Sequence, residues 1–418
     1  MIVSRMRLKR IFSRFRNYDY TLLLLVAIVM GIGVVMIYSS SAPEKGNSYF
    51  KRQLLYCIAS IFVMYAGSFI IGITGLVNRF MLKTELPFGK KWYFSILTLG
   101  YIVVALFQLM PLIQNKPINN YKRWIVIGDV QSGNYKTIQP SEVTKAFLIV
   151  YSAYLIIMIL KTMGWKKITK WYQFVLNVFP LAVYFALTGI LIVLVMKEDL
   201  STAIVMLIIV FGMTFMGLKW EQFAAVFVYV FLGILAGYFM IFHTDAFRIE
   251  RINIWREVET HEKGQQILQG MYAIANGGFL GKGLGNSVQK LGNVPESYND
   301  MIFTIYCEEL GVLGAFLLLF IYLLLIFRLL YIASKAVNRF ETLIAYGIAI
   351  HITAQVCINV LVSTNAIPST GIPLPFVSYG ISSLIGLTIE MTIALSIARK
   401  SIEHNLELRR MESLGRYK

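Results

Sequence analysis

The chain is short of charge, and shorter still of acid. Only 15% of its 418 residues are Asp, Glu, Lys or Arg, with 22 acids against 39 bases. A soluble protein of this length needs far more charge to cover its surface. Cysteine is limited to three residues and histidine to four. Cys57, Cys307 and Cys357 sit in or beside apolar runs with no metal-ligand spacing, and they read as packing residues. His243, His261, His351 and His404 are scattered, which argues against a histidine metal site. The sequence has no internal repeat, no Ser/Pro-rich linker and no soluble domain.

Apolar residues fill the space that charge leaves. They make up 57% of the chain, and the mean hydropathy is +0.66. Repeated apolar runs of about 18 residues or more need lipid as solvent. Ten segments can span, near 20–40, 53–73, 93–113, 141–160, 174–195, 200–218, 222–242, 301–327, 340–362 and 382–398. The expected fold is all-α and polytopic, with both termini on one side. The basic stretch from Arg5 to Arg16 has the outline of a signal peptide. Pro43, directly after Ser40, Ser41 and Ala42, disfavours cleavage, so 20–40 is expected to be a retained first helix.

Charge then sets the orientation. Segments 1–20, 74–92, 161–173, 219–221, 328–341 and 399–418 hold 24 of the 39 bases and 7 of the 22 acids, and the rest of the chain holds 15 of each. The net charge of +17 thus lies entirely in the segments at the two termini's side. The positive-inside rule makes that side cytoplasmic. Anionic lipid is a sufficient partner for these bases, and no nucleic acid is needed. The expected organisation is a basic tail at 1–19, one transmembrane domain at 20–398 and a C-terminal tail at 399–418. Three external segments, 114–140, 243–300 and 363–381, are too long or too polar to be mere connectors. The loop 243–300 carries Trp255, several glycines and dense charge, so it is expected to be folded.

Charged residues at the edges of spans are functional candidates by default. The fourth span opens Gln139-Pro140-Ser141-Glu142-Val143-Thr144-Lys145. Proline suits the first helical turn, and Glu142 and Lys145 share a face, as either a structural pair or a working one. Asp199, in Lys197-Glu198-Asp199-Leu200-Ser201-Thr202, is a candidate N-cap at the same level. The sharper expectation is a polar cavity shared by Glu142, Lys145 and Asp199. Gly277 to Asn286, with Lys282 inside, does not fit a phosphate-binding loop pattern, yet backbone N–H groups near Lys282 are candidates to receive a lipid pyrophosphate. Asp300 stands where the long loop meets the eighth span, as either an N-cap or a partly desolvated base. Glu308 lies eight residues on, about two turns along the same face. Of Glu308 and Glu309, at least one must face protein or water. The run Ile367 to Gly380, with three prolines, reads as a stiff re-entrant or surface segment.

Together these motifs resemble the SEDS family, which includes FtsW, RodA and SpoVE. The resemblance runs from the first span to the tenth. It is carried by Arg123-Trp124-Ile125 with Gln139-Pro140-Ser141-Glu142, by Asp199-Leu200 with Thr202, by Gln265 to Gly314, and by Thr370 to Leu384. Gly283 to Leu291 is more similar to FtsW and SpoVE than to RodA. The sequence departs from the family pattern at Lys197-Glu198, at Tyr298-Asn299 in place of His-Thr, and at Ile381 in place of a glycine. The resemblance implies a peptidoglycan glycosyltransferase of the bacterial plasma membrane, polymerising lipid II externally beside a class B penicillin-binding protein. Other divisome or elongasome proteins, and an address at the division septum, follow from the same likeness. It implies Asp300 as the catalytic carboxylate. Arg123, Trp124, Gln139, Ser141, Glu142, Lys145, Asp199, Gln269, Lys282, Glu308 and Ser378 are implied as substrate-binding or cavity residues. A divalent cation, Mg or Mn, is compatible with a pyrophosphate leaving group. Two other readings stay open: a lipid flippase or transporter, and a non-enzymatic scaffold for the transpeptidase.

Overall fold

The computed structural model describes residues 18–45, 48–70, 82–85, 91–94, 96–117, 122–129, 134–162, 171–196, 198–218, 246–261, 264–291, 294 and 297–414. Its helices are α1 (Tyr20–Lys45), α2 (Ser48–Ile70), α3 (Ile96–Gln114), α4 (Pro140–Thr162), α5 (Trp171–Met196), α6 (Leu200–Gly217), α7 (Ala246–Arg256), α8 (Gln265–Gly277), α9 (Ile302–Lys335), α10 (Arg339–Ser363) and α11 (Ile381–Ser413). Among the described residues, nine are long and apolar enough to cross a membrane, namely α1 to α6 and α9 to α11. They coincide with nine of the ten expected spans. The remaining one, 222–242, lies outside the described residues. Two antiparallel hairpins join the helices, β1 (Leu82–Glu85) with β2 (Lys91–Phe94), and β3 (Ile125–Asp129) with β4 (Asn134–Ile138). The C-terminal tail is a continuation of α11 as far as Ser413.

Burial ranks the helices. In α10 and α11, 72% of the apolar window is covered by protein, and in α4 61%, against 11% for α3. The first three therefore form the centre, and α3 is left to lipid. Two ionic clusters bracket the bundle. Just before α1, the carboxylate of Asp19 accepts from Nε and Nη2 of Arg328 on α9 at 2.9–3.1 Å. Near the other end of α1, Ser39 donates to Glu309 of α9 at 2.6 Å. Twenty residues of helix separate Asp19 from Ser39, about 30 Å at 1.5 Å per residue, which is the thickness of a bilayer's hydrocarbon core.

The helix α9 is broken inside this frame. Gly311 has φ +68°, and the chain is non-helical there. In hydrocarbon, carbonyls and amides freed by such a break must find protein partners. The glycine-rich loop after α8 supplies them. Lys282 N and Gly283 N donate to Glu308 O and Glu309 O at 2.9 Å, and Val312 N and Leu313 N donate to Gly278 O and Phe279 O at 3.0 and 3.1 Å. The approach is so close that a Cβ on Gly281 would lie 2.2 Å from Glu309 O.

The segment between α10 and α11 dips into the bundle, as its prolines and glycines led us to expect. Leu374, Phe376 and Val377 are buried. Tyr322 of α9 donates to Pro375 O. A Cβ on Gly33 of α1 would lie 2.6 Å from Phe376 O and 2.7 Å from Val377 Cα. Gly33 is six residues below Ser39, so the segment reaches roughly 9 Å into the slab. The substitution Gly33→Ala is expected to push this segment outward and to destabilise the protein by about 1–3 kcal/mol. A thermal melt in detergent would show it, and an unchanged Tm would refute the close contact.

Candidate functional site

The start of α4 and the start of α6 carry one connected polar cluster. Asp199 is the N-cap of α6, with Oδ1 accepting from Thr202 N at 3.0 Å. Its other oxygen accepts from Thr202 Oγ1 at 2.9 Å and from Gln139 Nε2 at 3.0 Å, and it faces Arg123 Nη1 at 3.8 Å. Gln139 Nε2 also donates to Ser141 at 3.1 Å. The guanidinium of Arg123 lies 4.2 Å from the centre of the Trp124 ring. Glu142 and Lys145 pair at 3.0 Å with both side chains buried, as their spacing of three predicts. One oxygen of Asp199 thus caps α6 while the other gathers Thr202, Gln139 and Arg123.

Asp300 belongs to a different stretch of chain. It is half-exposed in a turn that precedes α9. It is not the N-cap itself, because that position is taken by Met301. Its peptide carbonyl accepts from Asn359 Nδ2 of α10 at 2.8 Å, and a Cβ on Gly371 would lie 3.6 Å from Asp300 Oδ2. The re-entrant segment joins the two regions. Tyr379 N donates to Tyr298 O at 2.9 Å, two residues from Asp300, while Gln139 N donates to Ser382 Oγ at 3.0 Å. Asp300 and the Gln139–Asp199 cluster therefore lie at the same end of the bundle. Tyr298 and Tyr379 pack on Tyr49 of α2, the latter stacked at 4.6 Å between ring centres. Burial raises the pKa of the Tyr379 phenol above its ordinary range, and Arg52 beside it acts in the opposite direction.

Several expectations are corrected by these contacts. Glu308 does not share a face with Asp300, because the helix begins only at Ile302 and Glu308 turns into the glycine-rich loop. It accepts from Lys282 Nζ at 3.1 Å, from Ser287 Oγ, and from Val288 N and Gln289 N at 3.3 Å. The backbone amides near Lys282 are consumed by the break in α9 and are not presented to a pyrophosphate. Glu308 and Glu309 both face protein: Glu309 pairs with Lys290 at 2.9 Å. Ser378 is folded into its own turn, where it accepts from Leu374 N at 2.8 Å. Gln269 is half-buried on α8. Lys197 lies outside the described residues. Sequence reasoning missed Lys290 and Asn359, and it did not foresee that His351 would meet Glu390 at 2.8 Å deep between α10 and α11. Among the described residues no three His, Cys, Asp or Glu side chains form a set able to hold a metal ion.

This is a polytopic helical membrane protein with an acidic and basic polar cluster at one end of its bundle and a carboxylate-bearing loop anchored beside it. The chain matches the family described as Cell cycle protein, FtsW/RodA/SpoVE, over residues 20–403, and it belongs to that family. It is 34% identical to a protein of Tolumonas auensis named probable peptidoglycan glycosyltransferase FtsW, over 91% of this chain and 92% of that one. A protein of the same name from a Geobacter species is 31% identical over 93% and 98% of the two chains. Among solved structures, a chain from a peptidoglycan synthase complex superposes with a TM-score of 0.69 at 24% identity, covering 92% of this chain and 98% of that one. The rod shape determining protein RodA of Thermus thermophilus superposes with a TM-score of 0.60 at 22% identity, covering 92% and 97%. These two likenesses establish the shared fold.

The two lysine–glutamate pairs at the α9 break, one with an exposed lysine and one buried throughout, differ in what remains when the lysine goes. Without Lys282, Glu308 keeps Ser287 and two backbone amides. Without Lys290, Glu309 keeps only the Ser39 hydroxyl among the contacts described above. Lys290→Met should therefore destabilise by roughly 3–5 kcal/mol and Lys282→Met by clearly less. Equal losses in a chemical or thermal melt would contradict this. In the other cluster, Asp199→Ala is expected to lose about 1–2 kcal/mol of capping, whereas Asp199→Asn keeps the cap. Matching Tm values for the two variants would disprove the capping role.

Proposed function

We propose that this protein is a peptidoglycan glycosyltransferase that polymerises lipid II on the outer face of the bacterial plasma membrane, with Asp300 as the general base. The observation that supports it most is the whole-length likeness to relatives named peptidoglycan glycosyltransferase, read together with a half-exposed carboxylate at the polar end of the bundle. In this reading Asp300 takes the proton of an acceptor sugar hydroxyl as its oxygen attacks the anomeric carbon of the donor. The bond to the donor's pyrophosphate breaks, and the pyrophosphate departs as an anion.

That anion needs a cation beside it. Lys145 is sealed, with its side chain 2% exposed. Arg123 is 30% exposed, with a guanidinium nitrogen 3.8 Å from Asp199, and it is our choice for the leaving group. A divalent Mg or Mn would take oxygen ligands from the pyrophosphate itself, in the manner of magnesium sites built on substrate phosphates. A class B penicillin-binding protein is the proposed partner, and the division septum the proposed address. A flippase would use a polar route between the two faces. The His351–Glu390 pair in mid-bundle is the feature that favours it, and both side chains there are 1% exposed.

The test is a polymerisation assay on purified protein with lipid II, with and without the cognate transpeptidase. Asp300→Ala should lower the rate by about 10²–10⁴-fold, the usual worth of a general base. Wild-type polymerisation by that variant would overturn the assignment. Headgroup translocation in vesicles without polymerisation would favour the flippase.

A further inference from the structure

Asn359 lies on α10, 1% exposed, one turn from the helix end. Its Nδ2 donates to two peptide carbonyls, Asp300 O and Ile372 O, both at 2.8 Å. Two acceptors require the NH₂ side of the amide, so the orientation of the group follows from its partners. The other side, Oδ1, is buried and has no hydrogen-bond partner among the described residues. An amide kept in that state is destabilising on its own, by the desolvation of its oxygen. What offsets it is the pair of strands of chain that its nitrogen holds together. Asp300 ends the long loop and Ile372 belongs to the re-entrant segment, while α10 is among the most protein-covered helices of the bundle.

The N-cap of α9 is Met301, whose side chain makes no capping hydrogen bond. The residue before Ile372 is Gly371, and a Cβ built on it would lie 3.6 Å from Asp300 Oδ2. One amide therefore holds the Asp300 peptide at a set height beside the segment that carries Gly371, and the Tyr379 N–Tyr298 O bond ties the same two segments a few residues away. We propose that Asn359 is a positioning residue for Asp300: it fixes the carboxylate against the re-entrant segment in the geometry the reaction needs. The kinetic part of this inference rests on the sugar-transfer reading above, and the structural part does not.

Asn359→Asp changes almost no volume, but an ionised carboxylate donates no hydrogen bond and would face two carbonyls. A shift of about 1 Å in a reacting group can lower a rate about 10²-fold. We expect kcat for lipid II polymerisation to fall about 10–100-fold, with KM within about twofold of wild type, the pattern of a lost transition-state interaction. Asn359→Ser keeps one donor and should fall less. Amide hydrogen exchange should quicken in peptides covering 298–304 and 370–375 and stay unchanged in α4 and α6. Wild-type kcat in both variants, or faster exchange spread evenly over the bundle, would sink the proposal. If Asn359→Asp does not fold, Asn359→Ser decides alone by the same two measurements. If wild-type protein fails to polymerise lipid II, the sugar-transfer reading fails, and the exchange pattern still decides whether Asn359 is the clamp.

Discussion

In hydrocarbon, a backbone N–H or C=O without a partner is several kcal/mol out of place, and this constraint organises the structure around Gly311. A break in α9 frees the carbonyls that precede it and the amides that follow it. The loop from Gly278 to Gly283 turns back to satisfy both sets. Gly281 is required there because the two backbones come within contact distance, with no room for a Cβ. Once that loop is pinned, Lys282 and Lys290 fall beside Glu308 and Glu309, and each buried carboxylate meets a cation. The loop that follows reaches Asp300 from a fixed starting point. The α9 break is therefore the anchor of the whole long loop.

The same demand for partners explains how the polar end of the bundle is assembled from distant chain segments. Asp199 caps α6 with one oxygen and gathers Gln139, Thr202 and Arg123 with the other. The start of α11 touches this cluster through Ser382, and the re-entrant segment just before it touches the Asp300 loop through Tyr379. Gly33 and Tyr322 hold that segment from below. Displacing it would disturb the support of the Asp300 loop and the start of α11 together.

Local features were legible from the chain. Proline at position 140 opens α4, the spacing of three pairs Glu142 with Lys145, and Asp199 followed by Thr202 reads as a cap. All three depend on contacts within about one helical turn, where sequence separation and spatial separation coincide. The pairing of Lys282 with Glu308 was not legible for the converse reason, since it depends on how a loop folds back over 26 residues of sequence. Asn359 gave no signal at all, since a lone amide in an apolar helix is ordinary until its two carbonyl partners are seen.

Composition by itself determined that this protein lives in lipid, how many spans the described part contains, and where its basic charge collects. Those properties are sums over segments, and hydropathy and charge are additive along a chain. The sequence also placed Asp300 at the edge of a span. Only the tertiary structure decided what that carboxylate rests on, which lysines are already paired, and which helix holds the loop in place. Hydrogen bonds and ion pairs form at about 3 Å between residues that can be far apart in sequence, as with Ser39 and Glu309, and no local pattern encodes that meeting.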